Sequence, residues 1–264
     1  MSAVVDPRPL ALARIGIGAA AFITGLELFV ALQLVAGRQR IDFPTFLDLP
    51  VTAAALNVWL VICVLASVCM VAGLFSRTAS AVMAGTVVWA LLWDQQTYSS
   101  HVLLLAVLCL LLALGQPGAA FSLDARLHGP RRTISAWPQL LVMVQISVVY
   151  FFAAASKVNP AFLNGEVLGG STWLPVPDAT LPVVAVGAVA TEFFLAVALW
   201  FRGTRRLAYL LGLGLHLAIT VTLNLPLVLF AFSLLCLSCY PLFGARYSSR
   251  AATSSEPSPS VADR

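Results

Sequence analysis

The hydrophobic residues of this chain come in long runs, and polar positions gather in the short stretches between them. Roughly 20 apolar residues cross the hydrocarbon of a bilayer as α-helix, and several runs approach or exceed that length. The pattern predicts about eight spans, near 10–36, 52–75, 79–93, 100–115, 138–157, 182–201, 206–223 and 226–243. The third and fourth are short and joined by DQQTYSSH, so that pair also reads as one broken span.

Composition carries the same conclusion. Of 264 residues, 60% are hydrophobic and 10% are charged, whereas a soluble domain carries about 25% charged residues. The expected fold is an all-α, polytopic transmembrane helical bundle. Residues 1–9 read as a cytoplasmic N-terminal segment and 10–245 as the membrane domain. Residues 246–264, rich in Ser, Pro and Ala, read as a disordered cytoplasmic tail. The opening MSAVVDPRPLALAR leads into a long apolar run without a small-residue cleavage site, so the first span is expected to be retained.

The net charge is +4, scattered between the apolar runs. That distribution reports orientation in a membrane rather than nucleic-acid binding. With both termini cytoplasmic, the inner loops hold Arg77, then Arg126, Arg131 and Arg132, then Arg202, Arg205 and Arg206, with Arg246 and Arg250 in the tail. The outer side holds Arg38, Arg40 and Lys157. The five cysteines all lie in apolar segments, poor placement for an extracellular disulfide framework. Cys236 and Cys239 have dithiol spacing but sit among packing residues.

Three titratable residues fall in the outer half of the expected bundle. Lys157 ends the fifth span within YFFAAASKVNPAF, His101 opens the fourth, and His216 lies in the outer half of the seventh. An ammonium at that depth is costly and marks a functional site by default. Low dielectric favours the neutral amine of a lysine, and a histidine beside it donates a hydrogen bond or relays a proton. Such a set suits an apolar substrate with an acidic hydroxyl, such as a reduced quinone. The plainer readings are a snorkelling lysine and histidines that bond helix to helix. Glu27 and Glu192, inside spans, read as buried partners of basic residues or as polar glue, and Arg14 as a side chain reaching the cytoplasmic surface. No metal-ligand spacing, phosphate-binding glycine loop or nucleophile elbow occurs.

The same residues carry a resemblance. YFFAAASKVNPAFLNG resembles the segment of vitamin K-dependent gamma-carboxylases in which a lysine ends a membrane helix, through Tyr150, Phe151, Ala153, Lys157, Val158, Phe162 and Gly165. TYSSHVLLLAVLCLLLAL with the later FSLDARL is similar to that family's histidine-led helix start and its Ser-x-Asp, placing His101 at the histidine. GLHLAITV places His216 at a further helix histidine. The resemblance is to the horizontally transferred transmembrane (HTTM) domain, over roughly residues 10–245. It implies that Lys157 deprotonates a vitamin K hydroquinone-like cofactor, that His101 stabilises the ensuing oxygen chemistry of a carbon–carbon lyase, and that His216 lies near the site. Two positions depart from the pattern: Ser100 stands for an asparagine and Phe162 for a common tryptophan. The carboxylases continue into a large extramembrane domain, whereas this sequence continues into a short tail, so glutamate carboxylation follows less directly than quinol chemistry.

Two functions stay open at this point. One is a membrane enzyme with Lys157 as base on a quinol-like lipid. The other is a non-enzymatic scaffold or accessory protein for maturation of, or tolerance to, a secreted peptide. The expected partners are membrane lipid, a quinone and a secreted peptide or protein, without nucleic acid or metal, in a bacterial cell membrane.

Overall fold

In an apolar setting each backbone amide and carbonyl must be satisfied within its own segment, which leaves long apolar runs only the helix. A computed structural model of the chain describes residues 3–36, 52–173, 176–245 and 247–249, and the segments predicted to span are helical. They are α1 (Arg8–Ala36), α2 (Ala53–Ala72), α3 (Ser76–Trp93), α4 (Ser100–Leu114), α6 (Trp137–Ser156), α9 (Leu181–Ala198), α10 (Arg205–Thr222) and α11 (Pro226–Ser238). Shorter helices lie between or after them: α5 (Leu123–His128), α7 (Pro160–Leu163), α8 (Glu166–Gly169) and α12 (Tyr240–Phe243). The loop carrying Arg38 and Arg40 lies outside the described residues.

By length and apolarity α1, α2, α6 and α9 can each cross a membrane, and α4 and α11 are shorter apolar helices. The DQQTYSSH stretch separates two helices rather than breaking one. Asp94 accepts from the Gln96 amide at 2.7 Å, starting a turn of 3-10 helix over Gln95–Thr97, and α3 and α4 then pack side by side. At the opposite end, α2 stops at Gly73, whose φ of 70° suits a residue without Cβ.

The chain also forms three short strands that the apolar pattern did not predict. Ala3–Val5 (β1) pairs antiparallel with Ile134–Ser135 (β2) and with Tyr247–Ser249 (β3), in the order β2-β1-β3. The start of the expected structureless tail is thus a strand; from residue 250 the tail lies outside the described residues. This sheet gathers the N-terminus, the approach to α6 and the exit from α12 at one end of the bundle.

Helix α1 is the hub, packing against α2 and α11 and, less extensively, α4 and α12. One large buried cluster surrounds it. A smaller one, Ala154, Phe162, Ala185 and Val189, joins α6, α7 and α9. Arg14 does not reach the surface as expected. It is wholly buried and donates to the carbonyls of Pro117 (3.0 Å) and Phe121 (2.6 Å). The loop after α4 folds over the start of α1, and its carbonyls supply what solvent would have supplied.

Candidate functional site

Helix α6 ends at Lys157 because the following Asn-Pro cannot continue it. The Lys157 amide bonds to the Ala154 carbonyl, and Asn159 accepts from the Phe162 amide to start α7 at Pro160. The turn sends the lysine side chain back along the bundle rather than outward. Its Nζ meets Glu192 Oε1 of α9 at 2.5 Å, and it lies 5.9 Å from the centroid of the Phe162 ring. The lysine side chain is 29% exposed and that of Glu192 only 10%. The second carboxylate oxygen, Oε2, is buried and among the described residues has no hydrogen-bond partner.

His216 belongs to a buried polar chain that joins four helices, α6, α10, α11 and α12. Its Nε2 shares a hydrogen bond with the Tyr150 hydroxyl (2.7 Å), which in turn meets the Tyr240 hydroxyl (2.8 Å). Its Nδ1 lies 3.1 Å from Ser233 Oγ. His101 joins a different group: Nε2 lies 3.1 Å from Glu27 Oε2 of α1, and Nδ1 lies 2.9 Å from Ser99 Oγ.

Of the three residues singled out in the sequence, Lys157 ends α6 and His101 opens α4, whereas His216 lies within α10. Lys157 pairs with Glu192 and His216 with Tyr150, while His101 is held on the α1 side by Glu27. Among the described residues no hydrogen bond or ion pair joins His101 to the other two. Both intramembrane glutamates turn out to partner a basic residue, as their positions implied. The sequence carries no signal for the hydrogen-bonding role of Tyr150 and Tyr240, since a tyrosine within an apolar run looks like packing.

Cys236 and Cys239 are fully buried free thiols, and Cys239 donates to the Leu235 carbonyl at 3.4 Å. Among the described residues no group of three or more His, Cys, Asp or Glu is arranged to hold a metal ion.

The model of the HTTM domain matches residues 3–246, nearly the whole chain. The chain belongs to the HTTM family. Together with its apolar helices, the match makes it a membrane protein. No curated protein and no solved structure matches the chain. In this HTTM protein, then, Lys157 is an ion-paired amine, and its carboxylate partner keeps one unused oxygen.

Proposed function

We propose that this HTTM protein spans the membrane eight times with both ends cytoplasmic, and that its Lys157–Glu192 pair takes a proton from the hydroxyl of a quinol-like lipid. The observation that carries the reading is the buried, unpartnered Glu192 Oε2 beside the Lys157 ammonium. An ionised oxygen with no donor costs about 1–3 kcal/mol or more, and a substrate O–H would remove that cost. The surroundings fit an aromatic lipid headgroup: the Phe162 ring lies under the lysine, and Phe151 packs edge-on against Phe193 at 5.6 Å.

The proton balance is simple. In the charge-separated form the carboxylate accepts the substrate proton, leaving the quinol monoanion beside the Lys157 ammonium. In the neutral form, after the proton has crossed the contact, the Lys157 amine is the acceptor instead. Either route moves one proton and no electrons. The test is binding of a reduced naphthoquinone and formation of its monoanion, followed by absorbance under anaerobic conditions, in the purified protein. Lys157→Ala and Glu192→Gln are expected to abolish monoanion formation, and undiminished formation in both would end the proposal.

A second reading has its own support. Each of His101 and His216 has both ring nitrogens engaged with protein atoms, which is how polar side chains hold membrane helices together. On that reading the protein is an accessory for maturing, or tolerating, a secreted peptide, in a bacterial cell membrane. It predicts a stable peptide or protein complex that survives Lys157→Ala.

A further inference from the structure

The opposite end of the bundle carries a second constellation, unconnected with Lys157. The turn from α2 to α3, the loop after α4 and the segment after α5 meet there around a cavity of about 390 Å³, bordered by Arg77, Gln116, His128 and Arg131. The cavity is built on a fixed floor. Asp124 accepts from the amides of Phe75 and Ser76, both at 2.8 Å, and from Ser76 Oγ at 2.7 Å. Buried Arg14 clamps the loop carbonyls of Pro117 and Phe121. Gly118 leaves the space open, since a Cβ there would come within 2.6 Å of Asp124 Oδ2 and 2.7 Å of Ser76 Oγ.

The two arginines are only partly used. Arg77 Nε donates to the Ala113 carbonyl and Arg131 Nη1 to Gln116 Oε1, each at 3.0 Å. Among the described residues no hydrogen bond engages either terminal nitrogen of Arg77 or Nη2 of Arg131. The one carboxylate in the cavity, Asp124, is already committed to three donors.

The backbone around this cavity is strained in a telling way. Among the described residues Phe75 (φ 47°) and Phe121 (φ 44°) are the two non-glycine residues in left-handed conformation. Each such residue costs roughly 1–2 kcal/mol, and conformations of this kind cluster where a site over-determines them. Their rings are not buried in return: Phe75 is 69% and Phe121 57% exposed. Exposed phenyl rings around a cluster of arginines are poorly placed for water and well placed for the boundary between headgroups and acyl chains.

We propose that this cavity holds the phosphate of an anionic phospholipid, with Arg77 and Arg131 on the phosphate oxygens and Phe75 and Phe121 against the acyl chains. Guanidinium forks suit phosphate geometry, and basic pockets on the cytoplasmic side of membrane bundles take anionic headgroups. Free phosphate offers the arginines the same chemistry but nothing to the rings.

Full-length protein in detergent, probed by native mass spectrometry, separates these sources. Phosphatidylglycerol is expected to bind, whereas phosphatidylcholine of the same acyl length and inorganic phosphate bind far more weakly. Arg77→Gln with Arg131→Gln should weaken phosphatidylglycerol about tenfold, as loss of charge-assisted hydrogen bonds predicts. Arg202→Gln with Arg206→Gln should leave it unchanged. Phe75→Gly, which suits the backbone, should weaken the lipid and not phosphate. If the double variant fails to fold, Arg131→Gln alone, at an exposed position, serves with a smaller expected loss. Equal binding of phosphatidylcholine, or full binding by the arginine variants, overturns the proposal. So does phosphate binding as tightly as phosphatidylglycerol.

Discussion

At the scale of single residues, the contact between Lys157 and Glu192 sets two separable expectations. As an ion pair, removing one partner strands the other. Lys157→Met should therefore cost roughly 2 kcal/mol, less than the ~3–5 kcal/mol of a fully enclosed pair because the lysine is partly exposed. Adding Glu192→Gln should restore much of that stability, a positive coupling read from a double-mutant cycle of unfolding in detergent. Additive losses would show that the two groups do not act as a pair. Formation of the naphthoquinol monoanion behaves differently: it is expected to vanish in both singles and in the double variant. A second residue-scale expectation concerns Tyr150, whose hydroxyl bridges His216 and Tyr240. Tyr150→Phe should cost about 1 kcal/mol, the usual worth of polar contacts between membrane helices, and unfolding in micelles would measure it. Lys157, His101 and His216 stood out in the sequence because charge and imidazole are rare in apolar runs. Glu27 and Glu192 stood out for the same reason, but their pairing did not, since which glutamate meets which base depends on how α6 packs on α9 and α4 on α1. Spacing along one segment carries no trace of that pairing.

At the scale of elements, apolar runs located the long helices to within a few residues, but not what fastens their ends. The turn between α2 and α3 is locked by a carboxylate 48 residues away in α5. Burial pulls the Asp124 carboxyl up, yet the Ser76 amide and hydroxyl and the Phe75 amide outweigh it and hold the group below its ordinary value of 3.8. A lowered value in the folded state means stability that is present above pH 3.8 and lost as pH falls through and below it. Asp124→Asn should accordingly unfold more easily at pH 7, by about 1 kcal/mol. Its deficit should shrink toward pH 3, as thermal unfolding at the two pH values would record. A deficit constant across that range would remove the carboxylate's charge from the account. Arg14 fastens the next loop along. Arg14→Met keeps an unbranched side chain but orphans the Pro117 and Phe121 carbonyls, a loss expected at about 2–4 kcal/mol. A sequence reading sends Arg14 to the headgroups because nothing local announces that residues 117–121 cover it. The sheet of β1, β2 and β3 escaped for the same reason: its strands are two or three residues long and lie far apart in sequence.

At the scale of the whole molecule, charge and geometry agree about direction. The sheet, the Arg14 clamp and the Asp124 lock all lie at one end, and so do Arg77, Arg126, Arg131, Arg132, Arg202, Arg205 and Arg206. Lys157 and the bridge between Thr172 and Leu223 lie at the other. Short loops rich in arginine stay in the cytoplasm, so on the proposed eight-span topology the proposed phospholipid cavity would face inward and the Lys157–Glu192 pair would lie in the outer half. The two proposed sites thereby belong to opposite leaflets, and neither can be reached from the other's side. Cysteine labelling tests that arrangement in a variant whose five native cysteines are replaced by alanine. Thr133→Cys, beside the sheet, should react with a membrane-impermeant maleimide only after lysis, whereas Ala179→Cys, ahead of α9, should react in intact cells. Labelling of both positions from one side would break the alternation of spans. The reverse pattern would invert the bundle, putting the ion pair at the cytoplasmic leaflet and the arginine cavity outside. A quinol-like substrate would then have to approach from the cytoplasmic leaflet, and the arginine cavity would meet the lipids of the outer one.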